Sequence, residues 1–534
     1  MQLYKLMNFK RHLYNAALFT AVLLLASWSE PKKPKMNLLN EAILPRPVSV
    51  IASGSSFEIN AKTKIFVNGE SEELLKIGHY LANLIKPASG FNLKVRSTFK
   101  PPSSNSVYLS ISDLEPEFGL EGYKLIITGK NVRITANSPT GIFRGIQTLR
   151  QILPKEIEAA TKQKKSWFIA TGEIHDYPQY EYRGAMLDVS RHFFNAEEVK
   201  KYIDMLAAYK LNVLHLHLSD DQGWRIEIKS WPNLTKHGGS TQIGGGKGGF
   251  YTQEEYKEII QYALDRYITI IPEIDMPGHT NAALASYPEL NCNEIAPELY
   301  TGNKVGFSTL CTHKENTYQF VRDVIKELAE ITPGPYIHIG GDESHVTKLE
   351  DYISFINQVQ DIVLANGKIM IGWDEIVHAD IKTNTIIQFW ARLENAQKGV
   401  SKNAKVILSP SNKTYLDMKY DSVTKLGLKW AGYIEVDDAY SWNPSTLIPG
   451  IYKRDILGIE SPLWTETITN MEELEFMVFP RIIGHAEIGW TPDSLRDWHN
   501  YKVRLKIHSE RLKIKGINFF ASDLIFIDEL GVKE

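Results

Sequence analysis

Short apolar runs and amphipathic stretches alternate along the last two thirds of the chain. Runs at 182–189, 211–218, 268–274, 336–340, 369–373, 385–390, 405–408 and 456–464 read as eight buried strands. Segments with apolar residues at helical spacing lie between many of them, at 196–209, 253–267, 317–331 and 351–365. Eight strand–helix alternations predict an α/β fold, a closed (β/α)8 TIM barrel over 166–520. Ahead of it, β-rich runs at 63–67, 106–111 and 123–127 surround helical patterns at 72–84 and 140–153, the second stopped by Pro154. This pattern predicts a smaller α+β domain over 44–154. Residues 155–165 are polar and charged without an apolar period, and are expected to connect the two domains.

The N-terminus has its own pattern. Lys5, Lys10 and Arg11 precede an uncharged, mostly apolar stretch at 16–26, followed by Ser27 and Ser29. That order reads as a signal peptide over 1–29, and the stretch is shorter than the about 20 residues needed to cross a hydrocarbon core. The expectation is export, to the periplasm or outside the cell, with no membrane span once the signal is removed. Residues 30–43, with Pro31, Pro34 and three lysines by Lys35, are expected to form a flexible tether.

The 534 residues suit a large barrel plus a smaller domain. Sixty basic against 63 acidic side chains give a net charge of −3, with no basic tract suited to a phosphate backbone, which excludes nucleic acid as an expected partner. The two cysteines, Cys292 and Cys311, share one polar stretch. Their placement suits a loop-closing disulfide in an oxidising compartment, and equally two free thiols.

In a (β/α)8 barrel the polar residues at the C-terminal strand ends form the active site, whereas strand interiors are expected to be apolar filling. The polar residues here fall at those ends. Asp188 and Arg191 follow the first strand, Ser219-Asp220-Asp221 the second, Glu273 and Asp275 the third, and Asp342-Glu343 the fourth. The fifth, sixth and eighth end in Trp373-Asp374-Glu375, Gln388-Phe389-Trp390 and Trp464-Thr465-Glu466. Carboxylates and an arginine bind hydroxyls, and indole faces cover the apolar faces of a sugar ring, so this rim suits a neutral sugar. The sharpest feature is His338-Ile339-Gly340-Gly341-Asp342-Glu343, where two glycines let the backbone approach closely as a strand delivers adjacent carboxylates. Glycoside cleavage needs a proton donor and a group that stabilises a cationic sugar. Taken singly, these features have plainer readings: a solvated acidic turn, tryptophans packing the barrel, Arg191 in a structural ion pair, Asp220 as a cap and His279 as a satisfied core histidine.

Taken together, they resemble family 20 of the glycoside hydrolases, the β-N-acetylhexosaminidases, and the resemblance covers nearly everything after the leader. It is carried by Arg183-Gly184 through Asp188 to Arg191-His192-Phe193, by His215 through Ser219-Asp220-Asp221-Gln222-Gly223-Trp224, by Pro272-Glu273-Ile274-Asp275-Met276-Pro277-Gly278-His279, and by the Gly-Gly-Asp-Glu segment. Glu121-Gly122-Tyr123 and residues 141–153 resemble the noncatalytic domain that precedes such barrels.

The resemblance implies an exo-acting enzyme that removes terminal β-linked GlcNAc or GalNAc from glycans or chitooligosaccharides, with no cofactor and no metal. Its partner is an N-acetylhexosamine-containing oligosaccharide or glycoconjugate. By the same resemblance Glu343 is the acid/base, Asp342 polarises the 2-acetamido group, and Arg191 binds the hydroxyls on carbons 3 and 4. Asp220 and His279 form a relay to the acid. Trp373, Trp390 and Trp464 wall the acetamido pocket, Tyr415 holds its carbonyl, and Asp417, Trp430 and Glu466 make other sugar contacts. The implied reaction is substrate-assisted retaining hydrolysis through an oxazolinium ion.

Two other readings compete. His215 and His217 lie on one strand face, with His279, His338 and Asp342 downstream, a set that suits a metal-dependent hydrolase on the same barrel. The tryptophans and Arg191 would also suffice for a noncatalytic sugar-binding protein.

Overall fold

The computed structural model of the protein describes residues 33–526, together with Met7 and His12. The remainder of the expected signal peptide, and the tether up to residue 32, lie outside the described residues.

Seven strands build the first domain: β1 Ser49–Ile59, β2 Lys64–Asn68, β3 Lys94–Thr98, β4 Ser106–Ile111, β5 Tyr123–Ile127, β6 Asn131–Ala136 and β7 Trp167–Asp176, paired in the order β1-β7-β5-β6-β4-β2-β3. Two helices, α1 Glu72–Ser89 and α2 Pro139–Ile152, pack against this sheet. The start and stop of α1 are written locally. Ser71 accepts from the Leu74 amide, Glu72 and Glu73 occupy the first turn, and Gly90 takes the left-handed conformation that ends it. Leu74, Ile77, Leu81 and Ile85 of α1, and Ile142, Ile146 and Leu149 of α2, share a buried cluster with Ile65, Val67, Val107, Leu109, Val132 and Ile134 of the sheet.

The domain runs further at both ends than its sequence pattern suggests. The sheet closes on β7, beyond the boundary expected at 154 and within the segment expected to open the barrel. Trp167, Ile169 and Ile174 are buried along it, and it lies between β1 and β5. Residues expected to be tether are packed as well. Leu38 and Ile43 are buried in the same cluster, and the Ser56 hydroxyl donates to the Pro34 carbonyl at 2.7 Å.

The second domain is a closed parallel barrel. Its strands are β8 Tyr182–Asp188, β9 Val213–His217, β12 Thr269–Glu273, β13 Tyr336–His338, β14 Ile369–Trp373, β15 Ile386–Phe389, β16 Lys405–Leu408 and β17 Ile456–Leu463. A small hairpin, β10 Ser219–Asp220 with β11 Gly223–Trp224, interrupts the series after β9. Amphipathic helices, among them α3 Ala196–Ala208, α4 Gln253–Leu264, α5 Glu315–Ile331 and α6 Leu349–Ala365, contribute apolar residues to the barrel's main core.

The barrel interior is not the apolar filling expected of it. Tyr182, Val213, Ile271, Ile371 and Ile407 form one apolar cluster, but His215, Glu273, His338, Gln388 and Glu460 are also fully buried along the strands. Buried charges persist only when paired, and these are joined to one another. Among the described residues, no helix is long and apolar enough to cross a membrane.

Polar groups also fasten the two domains at their junction. Glu121 accepts from Arg144 of α2 at 2.9 Å and from Arg183 of β8 at 2.5 Å. Asp176, at the end of β7, pairs with buried Lys210 at 2.8 Å and accepts from the Trp490 indole at 2.8 Å.

Candidate active site

Each candidate side chain is placed by the turn that follows its strand. After β8, Asp188 Oδ1 accepts from the amides of Ser190 and Arg191, which turns the chain and aims the Arg191 guanidinium across the barrel mouth. Arg191 is fixed there by Asp220 at 2.8 Å, by Gln222 at 3.2 Å, and by the Trp464 ring, 4.9 Å from its guanidinium carbon. β13 ends early, and Gly340 and Gly341 take φ of 64° and 95°. At Gly340 a Cβ would stand 1.9 Å from Asp275 Oδ1, so only glycine permits this approach. The Gly341 amide donates to that same Asp275 oxygen at 3.0 Å. Glu343 itself lies at φ 45°, a conformation L-residues adopt at a cost and often at functional sites.

His279 stands between the relay and the dyad. Its Nδ1 is 3.1 Å from Asp220 Oδ1, and its Nε2 is 3.6 Å from Glu343 Oε2 and 3.8 Å from Asp342 Oδ2. Burial alone would lower the His279 pKa, but Asp220 and Asp275 hold it well above the ordinary range, so it is an imidazolium. The two adjacent carboxyls are driven apart. Burial, then the Asp275 carboxylate, push Asp342 well above the usual carboxylate range, and burial carries Asp275 to about 7. Burial also raises Glu343, but the hydrogen bond and charge of His279, with Arg191 beyond, outweigh it and hold Glu343 below its ordinary value. The protein alone thus drives Asp342 toward its protonated form and Glu343 toward its ionised one.

Arg191, His279, Asp342, Glu343, Trp390, Tyr415, Trp430, Trp464 and Glu466 all line one cavity of about 300 Å³ at the C-terminal mouth of the barrel. Trp373 is buried behind Trp464, ring centres 5.8 Å apart, and Tyr415 meets Trp430 edge-on at 5.8 Å. Trp390 is held by Glu375, which accepts from its indole at 3.1 Å, and Trp430 is half exposed. Asp220 and Asp417 are buried behind this lining. Burial and the neighbouring Glu466 push Asp417 well above the carboxylate range.

Three cavity residues, Asn303, Val305 and Leu428, carried no signal in the motifs. The first two sit on the loop that the Cys292–Cys311 disulfide closes, and the paired cysteines bracketing it were the available clue. That loop is tied to the rim where Gln222 Nε2 donates to the Gly302 carbonyl at 3.0 Å.

Several of the histidines considered as metal ligands, His215, His217 and His279, are hydrogen-bonded to buried carboxylates. Sets such as His215, Glu273 and His338 bring their ligand atoms within 4.8 Å of one another. Metal ligation requires a nitrogen free of its proton. Burial would favour that for His215, but Glu460 and Glu273 raise it to about 9, and Glu273 and Asp220 hold His217 well above its ordinary value against the same burial effect.

A closed barrel with a carboxylate pair, an arginine and several indoles at its C-terminal mouth defines a carbohydrate-active hydrolase of the barrel class. Residues 180–493 match the catalytic domain of glycosyl hydrolase family 20, and residues 40–177 match domain 2 of the same family. The chain is 39% identical to a β-N-acetylhexosaminidase of Cellulomonas fimi, an alignment covering 90% of this chain and 96% of the relative. A solved family 20 β-N-acetylhexosaminidase from Streptomyces coelicolor superposes with a TM-score of 0.87 at 47% identity, over 90% of this chain and 98% of the other. A mutant Streptomyces plicatus β-hexosaminidase in complex with its product GlcNAc gives 0.89, also at 47% identity, over 92% and 99%. The chain belongs to glycosyl hydrolase family 20. It is a glycoside hydrolase, a β-N-acetylhexosaminidase.

Proposed function

We propose that the enzyme releases terminal β-linked GlcNAc or GalNAc by substrate-assisted, retaining hydrolysis, with Glu343 as acid/base and Asp342 as partner of the 2-acetamido group. The observation that carries this reading is a set of buried acceptor oxygens without a protein partner, Asp342 Oδ1, both oxygens of Asp417 and Glu466 Oε2, around a cavity walled by indoles. Buried acceptors require donors, and an acetamido N–H with ring hydroxyls supplies them. In this reading Asp342 takes the acetamido N–H, Tyr415 donates to its carbonyl, and Arg191, Asp417 and Glu466 take hydroxyls. Trp373, Trp390 and Trp464 exclude water from the intermediate.

The acetamido oxygen attacks carbon 1 while Glu343 protonates the leaving oxygen, and water activated by Glu343 then opens the oxazolinium. This needs Asp342 ionised and Glu343 protonated, against the direction in which the surrounding protein drives each. Substrate supplies the exchange: an N–H donor stabilises the Asp342 anion, and a sugar covering Glu343 removes water and favours its neutral form. His279, within 3.8 Å of both carboxyls, stands where the proton would pass.

Hydrolysis of 4-nitrophenyl β-GlcNAc, β-GalNAc and β-lacto-N-bioside, measured side by side, tests the substrate class. Monosaccharide release is expected, and activity confined to the lacto-N-bioside would overturn an exo-monosaccharide assignment.

Asp220→Asn tests the relay. Losing the Asp220 charge lets His279 give up its proton at lower pH, so Glu343 loses the cation 3.6 Å away and its pKa rises. The basic limb of the kcat profile, which reports the substrate complex, should move to higher pH. An unmoved limb would reduce Asp220 to a structural anchor for Arg191.

Export completes the reading. It is supported by the basic, then apolar, then polar order of residues 5–29, and by the Cys292–Cys311 disulfide, which suits an oxidising periplasmic or extracellular setting.

A further inference from the structure

Behind the relay the polar chain continues inward, and its geometry converges on one residue that lies outside the cavity lining. Asp220 Oδ2 is 2.8 Å from His217 Nε2, and His217 Nδ1 is 2.5 Å from Glu273 Oε2. The other Glu273 oxygen, Oε1, accepts from the Trp373 indole N–H at 3.0 Å. We infer that Glu273 is a positioning residue that joins the two halves of the pocket, holding Trp373 of the acetamido wall with one oxygen and, through His217 and Asp220, the relay to Glu343 with the other.

The chemistry of the contacts supports this. Both His217 nitrogens face carboxylate oxygens, which only accept, so His217 carries two protons and a positive charge. Its ring also meets Trp464 edge-on, with centres 4.9 Å apart, so the same imidazolium touches a second indole of the cavity. Glu273 is fully buried, and burial would neutralise it, but His217, His338 and His215 keep it ionised well below the carboxylate range. The other groups around the pair are Asp188 and Arg191 after β8, Asp275 after β12, and Glu460 of β17, which pairs with His215 at 3.0 Å. None of them is altered in the variants below.

The sign of the effect separates positioning from mere packing. Glu273→Gln removes a negative charge while Asp220 still holds His217 as a cation, so the chain becomes more positive and Glu343 gives up its proton more easily. His217→Gln removes a positive charge, and the opposite follows. The basic limb of kcat, which reports the substrate complex in which Glu343 is protonated, should therefore move to lower pH in Glu273→Gln and to higher pH in His217→Gln. The glutamine also has only one acceptor oxygen for three groups that face the carboxylate, His217, His215 and the Trp373 indole. Binding of a GlcNAc-derived thiazoline should weaken roughly tenfold in Glu273→Gln, a loss expected when a hydrogen bond to a charged group is removed.

The inference rests on Glu343 being the acid, and the two fail differently. A fully active Glu343→Gln would remove the acid assignment. Folded Glu273→Gln and His217→Gln proteins with unmoved limbs, alongside an inactive Glu343→Gln, would overturn the role of Glu273 alone. If either variant does not fold, the other decides. If neither folds, the unsubstituted enzyme decides: the imidazole N–H resonances of His217 should shift when the thiazoline binds, and unmoved resonances would overturn the coupling.

Discussion

Replacing the 2-acetamido group of an aryl substrate by a hydroxyl should lower kcat/KM by about 10⁵-fold or more, the scale of advantage that a well-oriented intramolecular nucleophile provides. The attacking oxygen belongs to the substrate in the proposed reaction, and no carboxylate of the cavity is left to replace it. In that scheme Asp342 faces the acetamido N–H on carbon 2 rather than carbon 1, so it is not aimed to attack. Glu343 is committed to the leaving oxygen. The comparison is made with 4-nitrophenyl β-glucoside against the β-GlcNAc substrate. A thiazoline that mimics the cyclised sugar should bind far more tightly than product, since it has the shape and charge of the bound transition state. The opposing test is a 2-fluoro sugar: a stable glycosyl adduct on Asp342 or Glu343, located by peptide mass mapping, would establish an enzymic nucleophile and end the substrate-assisted scheme.

All eight barrel strands were legible because each is an apolar run between helical segments, and a parallel barrel buries both faces of every strand. The first domain was less legible. β1 holds Gly54 and four serines, and β7 follows a charged segment whose polarity masks the return of the chain to the sheet. The tether was misjudged because its composition is polar, while the two residues that anchor it, Leu38 and Ile43, are scattered singly.

Within the site, motif spacing located most of the residues that line the cavity, because strand ends of a barrel converge by construction. What it could not give was protonation. Asp342 and Glu343 are neighbours in sequence and both carboxyls, yet Asp275, 66 positions before Gly341, raises one, and His279 lowers the other. The polar chain through His217, Glu273 and His215 was likewise hidden. Its members sit at alternate positions of different strands, and only closure of the barrel brings them within 3 Å.

Glu343→Gln should reduce turnover of substrates with alkyl leaving groups by about 10²- to 10⁴-fold, the usual contribution of a positioned general acid. The isosteric amide preserves shape, so product and thiazoline should still bind. The two steps of the reaction can then be separated by leaving group. A dinitrophenyl glycoside departs without protonation, so its first step should be nearly normal, while hydrolysis of the oxazolinium still lacks the base that activates water. The expected trace is a burst of aryl release followed by a slow steady state. Azide needs no base to attack, so adding it should accelerate that steady state and yield a glycosyl azide of retained, β configuration. Retention is the decisive detail, because azide opening an oxazolinium must enter on the face opposite the acetamido oxygen. An α-azide, or a variant with ordinary activity on alkyl glycosides, would show that Glu343 does not play both roles.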